Sequence, residues 1–218
     1  MRMRKKPNLI PRMERCAVAQ IKNPGDLRGR WLAACGDFSA LHVELGCGKG
    51  RFTALTAEAM PETLLVAIER VPEAMVMAME RVCAAGTQNV RFLDRDVATL
   101  PEAFAAGEVE RIYINFCDPW PGRRHADRRL TSGGFLALYR TALCRGGEIH
   151  FKTDNAPLFA DALIQFEKAG FALSQVTRDL HRDGPRGIMT DYETKFYEQG
   201  TPICRCVARL SDREDEGK

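Results

Sequence analysis

Leu41-His42-Val43-Glu44-Leu45-Gly46-Cys47-Gly48-Lys49-Gly50 is the stretch on which the fold turns. Leu41–Leu45 is an apolar run of strand length that carries a carboxylate and ends in a glycine-rich turn. The next segment, Arg51–Ala59, reads as a helix that stops before Pro61. Glycines at such a turn leave room for the reversal and let a ligand approach the main chain. Strand, glycine turn and helix together open an α/β sheet, in which ligands bind beyond the carboxyl ends of the strands.

Outward from this unit the pattern repeats. Leu64–Glu69, Val90–Leu93, Arg111–Phe116 and Glu148–Lys152 read as strands. Glu73–Ala85, Pro101–Ala106, Gly134–Leu143 and Ala156–Ala169 read as the helices between and after them, with stops at Gly86, Gly146-Gly147 and Gly170. Phe171–Arg178 and Ile203–Leu210 read as a closing antiparallel pair around a loop over 179–200. Alternation over short connections predicts a doubly wound α/β sheet. Residues 1–20 read as a basic N-terminal arm, flexible over 1–15, where Arg2, Arg4, Lys5, Lys6, Arg12 and Arg15 face one acid, Glu14. Residues 21–210 read as one domain that opens irregularly with a short helix over 22–36, and 211–218 as a disordered charged tail.

A chain of 218 residues that is 45% hydrophobic suits a single core. No apolar run approaches the roughly 20 residues that cross a bilayer, and no apolar signal core follows the basic N-terminus, so the expectation is a cytoplasmic protein with no membrane partner. The eight cysteines show neither a CxxC pair nor a Cys/His zinc pattern, which predicts free, mostly buried thiols and no metal site. The net charge of +3 is modest, but the basic residues are clustered, which implies a local anionic partner. Monomer and homodimer are equally compatible with the pattern.

The acids around the first turn decide between cofactors. Gly46-x-Gly48-x-Gly50 lacks the GxGxxG spacing of a dinucleotide fingerprint. Glu44 precedes the first glycine by two positions, Glu69 ends the second strand and Asp96 follows the third. Carboxylates so placed repel a pyrophosphate. They suit S-adenosylmethionine, which carries an ammonium, a sulfonium and a ribose diol. Gly46 and Gly48 are then the cradle, Glu44 faces the cationic methionine end, Glu69 the ribose hydroxyls and Asp96 the adenine amino group.

The densest chemistry lies at the fourth strand's end, in Asn115-Phe-Cys-Asp118-Pro-Trp120-Pro-Gly-Arg123-Arg124-His125-Ala-Asp-Arg128-Arg129. A carboxylate, Asp118, and an aromatic, Trp120, held between Pro119 and Pro121, can grip a flat polar ligand. The cations beside them, Arg123, Arg124, His125, Arg128 and Arg129, can hold phosphates. The combination points to chemistry on a nucleic-acid base.

At these residues the chain resembles the bacterial tRNA (guanine-N7)-methyltransferases. The likeness lies in Asp118-Pro-Trp-Pro followed by Arg-Arg-His-x-x-Arg-Arg-Leu, in Phe151-Lys-Thr-Asp-Asn155, in Thr190-Asp-Tyr-Glu-Thr-Lys-Phe196 with Gly200 and Pro202-Ile203, and in the opening Arg2-Met-Arg-Lys-Lys-Pro7. It runs from residue 2 to about 208. The resemblance implies a seven-stranded Rossmann-like S-adenosylmethionine-dependent methyltransferase sheet with helices on both faces, acting on guanosine 46 of the tRNA variable loop. It implies that Glu44, Glu69, Asp96 and Asp118 contact the methyl donor, that Asp154, Thr190, Asp191, Tyr192 and Glu193 contact the substrate, and that the 123–129 segment contacts RNA. Guanine N7 has a lone pair and no proton, so catalysis needs no general base. Asp118 then acts through positioning and charge stabilisation. Asp154 and Glu193 are expected to accept from the N1–H and N2 amino edge of guanine. The family usually has a lysine four residues after the aspartate; here the position is Gly122, with Arg123 beside it.

Three other readings compete. Methylation of an exocyclic amine fits Asp118-Pro-Trp loosely, without the second consecutive proline of that motif. A non-catalytic RNA-binding module predicts lost cofactor acids, whereas Glu44, Glu69 and Asp118 are all present. A nicotinamide oxidoreductase fits neither the glycine spacing nor the charge.

Overall fold

The computed structural model describes residues 7–211, except for the side chain of Arg123. Seven strands form one sheet: β1 (Ala40–Leu45), β2 (Thr63–Ile68), β3 (Val90–Leu93), β4 (Val109–Asn115), β5 (Leu143–Thr153), β6 (Phe171–Thr177) and β7 (Cys204–Leu210). Their order is β3-β2-β1-β4-β5-β7-β6. The first five are parallel, and β7 enters antiparallel between β5 and β6. The helices are α1 (Leu9–Arg15), α2 (Trp31–Cys35), α3 (Arg51–Ala59), α4 (Pro72–Ala85), α5 (Leu100–Ala103), α6 (Gly133–Ala142), α7 (Ala156–Lys168) and α8 (Asp191–Glu198).

Strand alternation sorts the side chains between two layers. Leu41, Val43 and Leu45 of β1, Ile112 and Ile114 of β4, and Ile149 and Phe151 of β5 join the main core with Leu136, Tyr139, Phe159 and Phe166 from α6 and α7. On the opposite face α3 and α4 build a smaller core around Met75, Met79 and Phe92. Farther along that face the same strands present polar groups: His42, Glu44, Tyr113, His150 and Lys152. Burial pushes His42 down to about 3 and His150 to about 4, so both are neutral near pH 7. The turn after β1 is fixed by Gly50, at φ 75°. A Cβ there would lie 2.5 Å from the Ala78 Cβ, so only glycine permits this approach of α3 to α4.

The strand-and-helix reading agrees in order and type, and α3 and β3 match to the residue. Three segments differ. Residues 9–15, read as part of a flexible arm, form α1. Arg12 donates to both oxygens of Glu80 on α4, at 2.7 and 2.6 Å, and docks it there. β5 starts at Leu143, because the Gly146-Gly147 pair sits within a bulged strand instead of ending a helix. The loop read over 179–200 contains α8. The basic stretch over 1–6 and the tail over 212–218 lie outside the described residues. No helix among the described residues is long and apolar enough to cross a membrane.

Candidate methyl-donor and nucleic-acid site

The carboxyl ends of β1, β2 and β4 open into a cleft of about 850 Å³ lined by Gly46, Glu69, Asp96, Asp118, Trp120 and Arg128, among others. A smaller recess of about 50 Å³ adjoins it and is lined by Glu44, Gly46, Gly48, Thr190, Asp191 and Tyr192. Gly46, Phe116 and Tyr192 line both. Every residue expected to bind the cofactor thus lines the cleft or the adjoining recess, although Glu44 and Asp118 are far apart in sequence.

Each acid is held differently. Glu44 is 2% exposed and accepts from Thr53 Oγ1 at 2.6 Å. Burial pushes its carboxyl up to about 7, against Thr53 and Asn115 and the more distant charge of Lys152. Glu69 Oε2 accepts from Gly48 N and Oε1 from Val71 N, both at 2.9 Å. These bonds orient the carboxylate and leave each oxygen a further lone pair. Asp96 accepts from Ala98 N at 2.9 Å and lies 3.6 Å from Arg70. Asp118 is exposed at the cleft. A Cβ on Gly46 or Gly48 would meet nothing within 4 Å, so open space lies above the main chain there. An open cradle beside a buried carboxylate without a close cation suits a ligand with a cationic end.

The segment after β4 is strained. Phe116 (φ 53°) and Trp120 (φ 40°) occupy the left-handed region, which costs a non-glycine residue about 1–3 kcal/mol. Arg129 explains how the turn persists: it donates to Pro119 O at 3.1 Å and Trp120 O at 3.2 Å and pairs with Asp161 at 2.8 Å. Arg129 is therefore a fastener of the turn and not the free phosphate ligand expected from its place among the cations. Arg128 stays exposed, with its guanidinium 4.9 Å from the centre of the Trp120 ring. Arg124 is exposed and donates to His125 Nε2 at 3.2 Å. The Arg123 side chain lies outside what the structure describes. Gly122 has φ 94° and ψ 143°, a region nearly closed to side-chain-bearing residues, so lysine is strained at this position.

The expected substrate residues divide in two. Thr190, Asp191 and Tyr192 line the recess, with Tyr192 59% exposed. Asp191 pairs with Arg81 of α4 at 3.2 Å. Asp154, just past β5, is exposed, outside the residues lining the cleft and recess. Glu193 departs from expectation: it is 0% exposed. Its Oε2 accepts from Lys152 at 2.5 Å and from Thr190 N at 3.3 Å, and its Oε1 lies 3.0 Å from His181 Nε2. Arg186 N donates to His181 Nδ1 at 3.1 Å, so Nε2 carries the proton and donates to Glu193. With both oxygens occupied inside the protein, Glu193 is not displayed to a guanine edge. It locks the start of α8 to β5, and Thr190 closes a capping box with it. Thr53, Asn115, Phe116, Lys152 and His181 carry no assigned role in the sequence pattern, although Asn115, Phe116 and Lys152 stand inside its motifs. The spacing Thr190-x-x-Glu193 was the one local signal of the helix start.

Among the described residues no group of three or more His, Cys, Asp or Glu gathers as a metal site.

The methyltransferase family model Methyltransf_4 matches residues 39–206. A Listeria innocua protein named tRNA (guanine-N(7)-)-methyltransferase is 42% identical over 215 residues, covering 98% of this chain and 100% of its own. A Bacillus subtilis protein of the same name is 42% identical over 206 residues, covering 94% and 97%. Among solved structures, a mutant 16S rRNA (adenine(1408)-N(1))-methyltransferase from Catenulisporales acidiphilia with cosubstrate SAM superposes with a TM-score of 0.63 at 15% identity, over 90% of this chain and 95% of that one. The antibiotic-resistance methyltransferase Kmr gives 0.58 at 18% identity, over 84% and 92%. At these identities the two structures speak for the fold alone.

Proposed function

This chain belongs to the tRNA (guanine-N(7)-)-methyltransferase family, and from that premise we propose that it transfers a methyl group from S-adenosyl-L-methionine to N7 of guanosine 46 in the tRNA variable loop. The observation that carries the reading is the convergence of Glu44, Glu69, Asp96 and Asp118 around Gly46 and Gly48 at the strand ends. That donor set suits a cationic sulfonium nucleoside and repels a pyrophosphate. We assign Glu44 to the cationic amino-acid end, Glu69 to the ribose hydroxyls and Asp96 to the adenine amino group.

S-adenosylmethionine supplies the electrophilic methyl when bound. The protein's task is to aim guanine N7 along that bond and to stabilise the charge that develops on the base. Asp118, exposed at the cleft beside Trp120, is our candidate for the second task. Tyr192 and Trp120 offer faces for the base, and Asp154 its edge contact. Thr190 and Asp191 line the floor of the recess. Arg124, His125 and Arg128, with Arg123, are assigned to phosphates. A tRNA in the cytoplasm is the partner this reading requires, with the enzyme acting as a monomer or homodimer.

The test is transfer of labelled methyl to unmodified tRNA transcripts, followed by nucleoside analysis. The expected product is 7-methylguanosine, lost when guanosine 46 is replaced. A methylated exocyclic amine would overturn the assignment of the atom. Asp118→Ala is expected to abolish transfer while tRNA affinity stays within a few fold. An active Asp118→Ala enzyme refutes its role.

A further inference from the structure

A second cavity, of about 460 Å³, lies on the sheet face that carries the polar strand residues, beside α3 and under the 180–188 segment. Its volume falls in the range of small-molecule sites. Phe52, Tyr113 and Met60 provide apolar walls; Asn115 and Phe52 also line the recess that adjoins the donor cleft. Apart from Asn115, which lies beside Glu44, none of these cavity residues is used by the mechanism above.

The floor carries an electrostatic anomaly. Lys152 and Arg205 both line the cavity and are directly paired across β5 and β7. Like charges opposite one another on neighbouring strands destabilise a sheet. Lys152 is neutralised by Glu193. Arg205, half-buried, forms no ion pair with a carboxylate among the described residues; its side-chain partner is the neutral amide of Gln175. Gln175 reaches it from an irregularity in β6, at φ 51°, a strained conformation for glutamine. Thr56, 3% exposed, lines the same cavity with an Oγ1 that has no hydrogen-bond partner. Arg186 adds a further positive charge at the wall, and His150 is neutral.

We propose that this cavity binds a nucleoside monophosphate unit, its phosphate on Arg205 and its base against Phe52 and Tyr113, as a subsite adjoining the methyl-transfer cleft. An anion there compensates Arg205, the cavity guanidinium that lacks an ion pair among the described residues, the rims of Phe52 and Tyr113 give a base an apolar wall, and Thr56 offers a hydrogen bond to its polar edge. The unit is either a nucleotide of the tRNA itself, as the reading under Proposed function suggests, or a free mononucleotide.

Met60 lines the cavity, so its ε-methyl carbon-13 NMR signal reports on occupancy whether or not methyl transfer occurs. The protein is first saturated with S-adenosylhomocysteine to fill the donor cleft, then titrated with cytidine 5′-monophosphate, which lacks a guanine edge, and separately with tRNA. A saturable Met60 shift with the mononucleotide, weakened about ten-fold or more in Arg205→Gln, is expected from loss of one charge-assisted contact. Gln175→Gly, which relieves backbone strain and releases Arg205 from its amide partner, is expected to keep or strengthen the same titration without loss of folding. A tRNA-induced Met60 shift competed by the mononucleotide assigns the unit to the RNA, and Arg205→Gln then raises the KM for tRNA by a similar factor. A mononucleotide shift that tRNA neither reproduces nor blocks assigns it to a free nucleotide. No Met60 shift with either ligand overturns the proposal, as does a shift of undiminished affinity in Arg205→Gln.

Discussion

Glu44 and Glu193 are both buried glutamates on the same side of the sheet, at 2% and 0% exposure, yet they do opposite things. Glu193 has Lys152 and His181 on its oxygens and fixes α8 to β5. Glu44 accepts from a threonine hydroxyl and no cation, and burial raises its carboxyl to about 7. A buried carboxylate flanked by a cation is a fastener. One with neutral neighbours, opening on a recess, is a receptor for a positive ligand. Sequence alone ranked both as ligand-facing acids; the location of the nearest cation separates them.

The largest expected effect tests the fastener. Glu193→Ala strands Lys152, itself buried and opposite Arg205, without its counter-charge. Breaking one half of a buried pair costs about 3–5 kcal/mol, read as a lower urea midpoint with an unchanged slope. A loss under about 1 kcal/mol, with transfer abolished, would return Glu193 to the substrate-contacting role.

The receptor has the next largest signature, in its pH dependence. The Glu44 carboxyl is raised in the folded protein, so the stability it contributes is fully present below about 4.5 and is lost as pH rises through about 7. The ligand-free protein should lose up to about 3 kcal/mol across this window from this group, and Glu44→Gln should flatten that part of the curve. Donor affinity should run the other way. A cationic ligand selects ionised Glu44, so binding strengthens up to about ten-fold per pH unit below 7 and levels off above it. Calorimetric titration at pH 6 and pH 8 checks the sign; a flat profile would make Glu44 a structural acid like Glu193.

This contrast also marks how far the sequence was legible. Strand and helix order followed from short apolar runs between glycines and prolines, because burial on a parallel sheet writes itself as continuous hydrophobicity. The convergence of Glu44, Glu69, Asp96 and Asp118 was legible for a related reason: residues at successive strand ends share one edge of the sheet. α8 was missed because Glu193 is its one buried residue, so no apolar stripe announced it, although the capping box was in plain sight. Docking of α1 was missed because Arg12 and Glu80, 68 positions apart, reveal their bond only in three dimensions. The role of Lys152 was illegible for the same reason, since its partner lies 41 residues away.

Neighbouring arginines give the smallest and sharpest test, because they repeat the contrast with the sign reversed. Arg129 is the fastener: its donors reach two carbonyls and Asp161. Arg128 is the receptor: no carboxylate among the described residues pairs with it, and its charge lies over Trp120 at the cleft. Identical substitutions should therefore separate in kind. Arg128→Ala should lower the log–log salt slope of tRNA binding by up to about 0.9, one phosphate contact, with little change in thermal stability. Arg129→Ala should leave that slope unchanged and lower the unfolding midpoint, because the strained Phe116–Trp120 turn loses the donors that hold it. If both variants change the slope equally, Arg129 releases Asp161 on RNA binding, and the distinction between fastener and receptor fails at this segment while standing for the two glutamates.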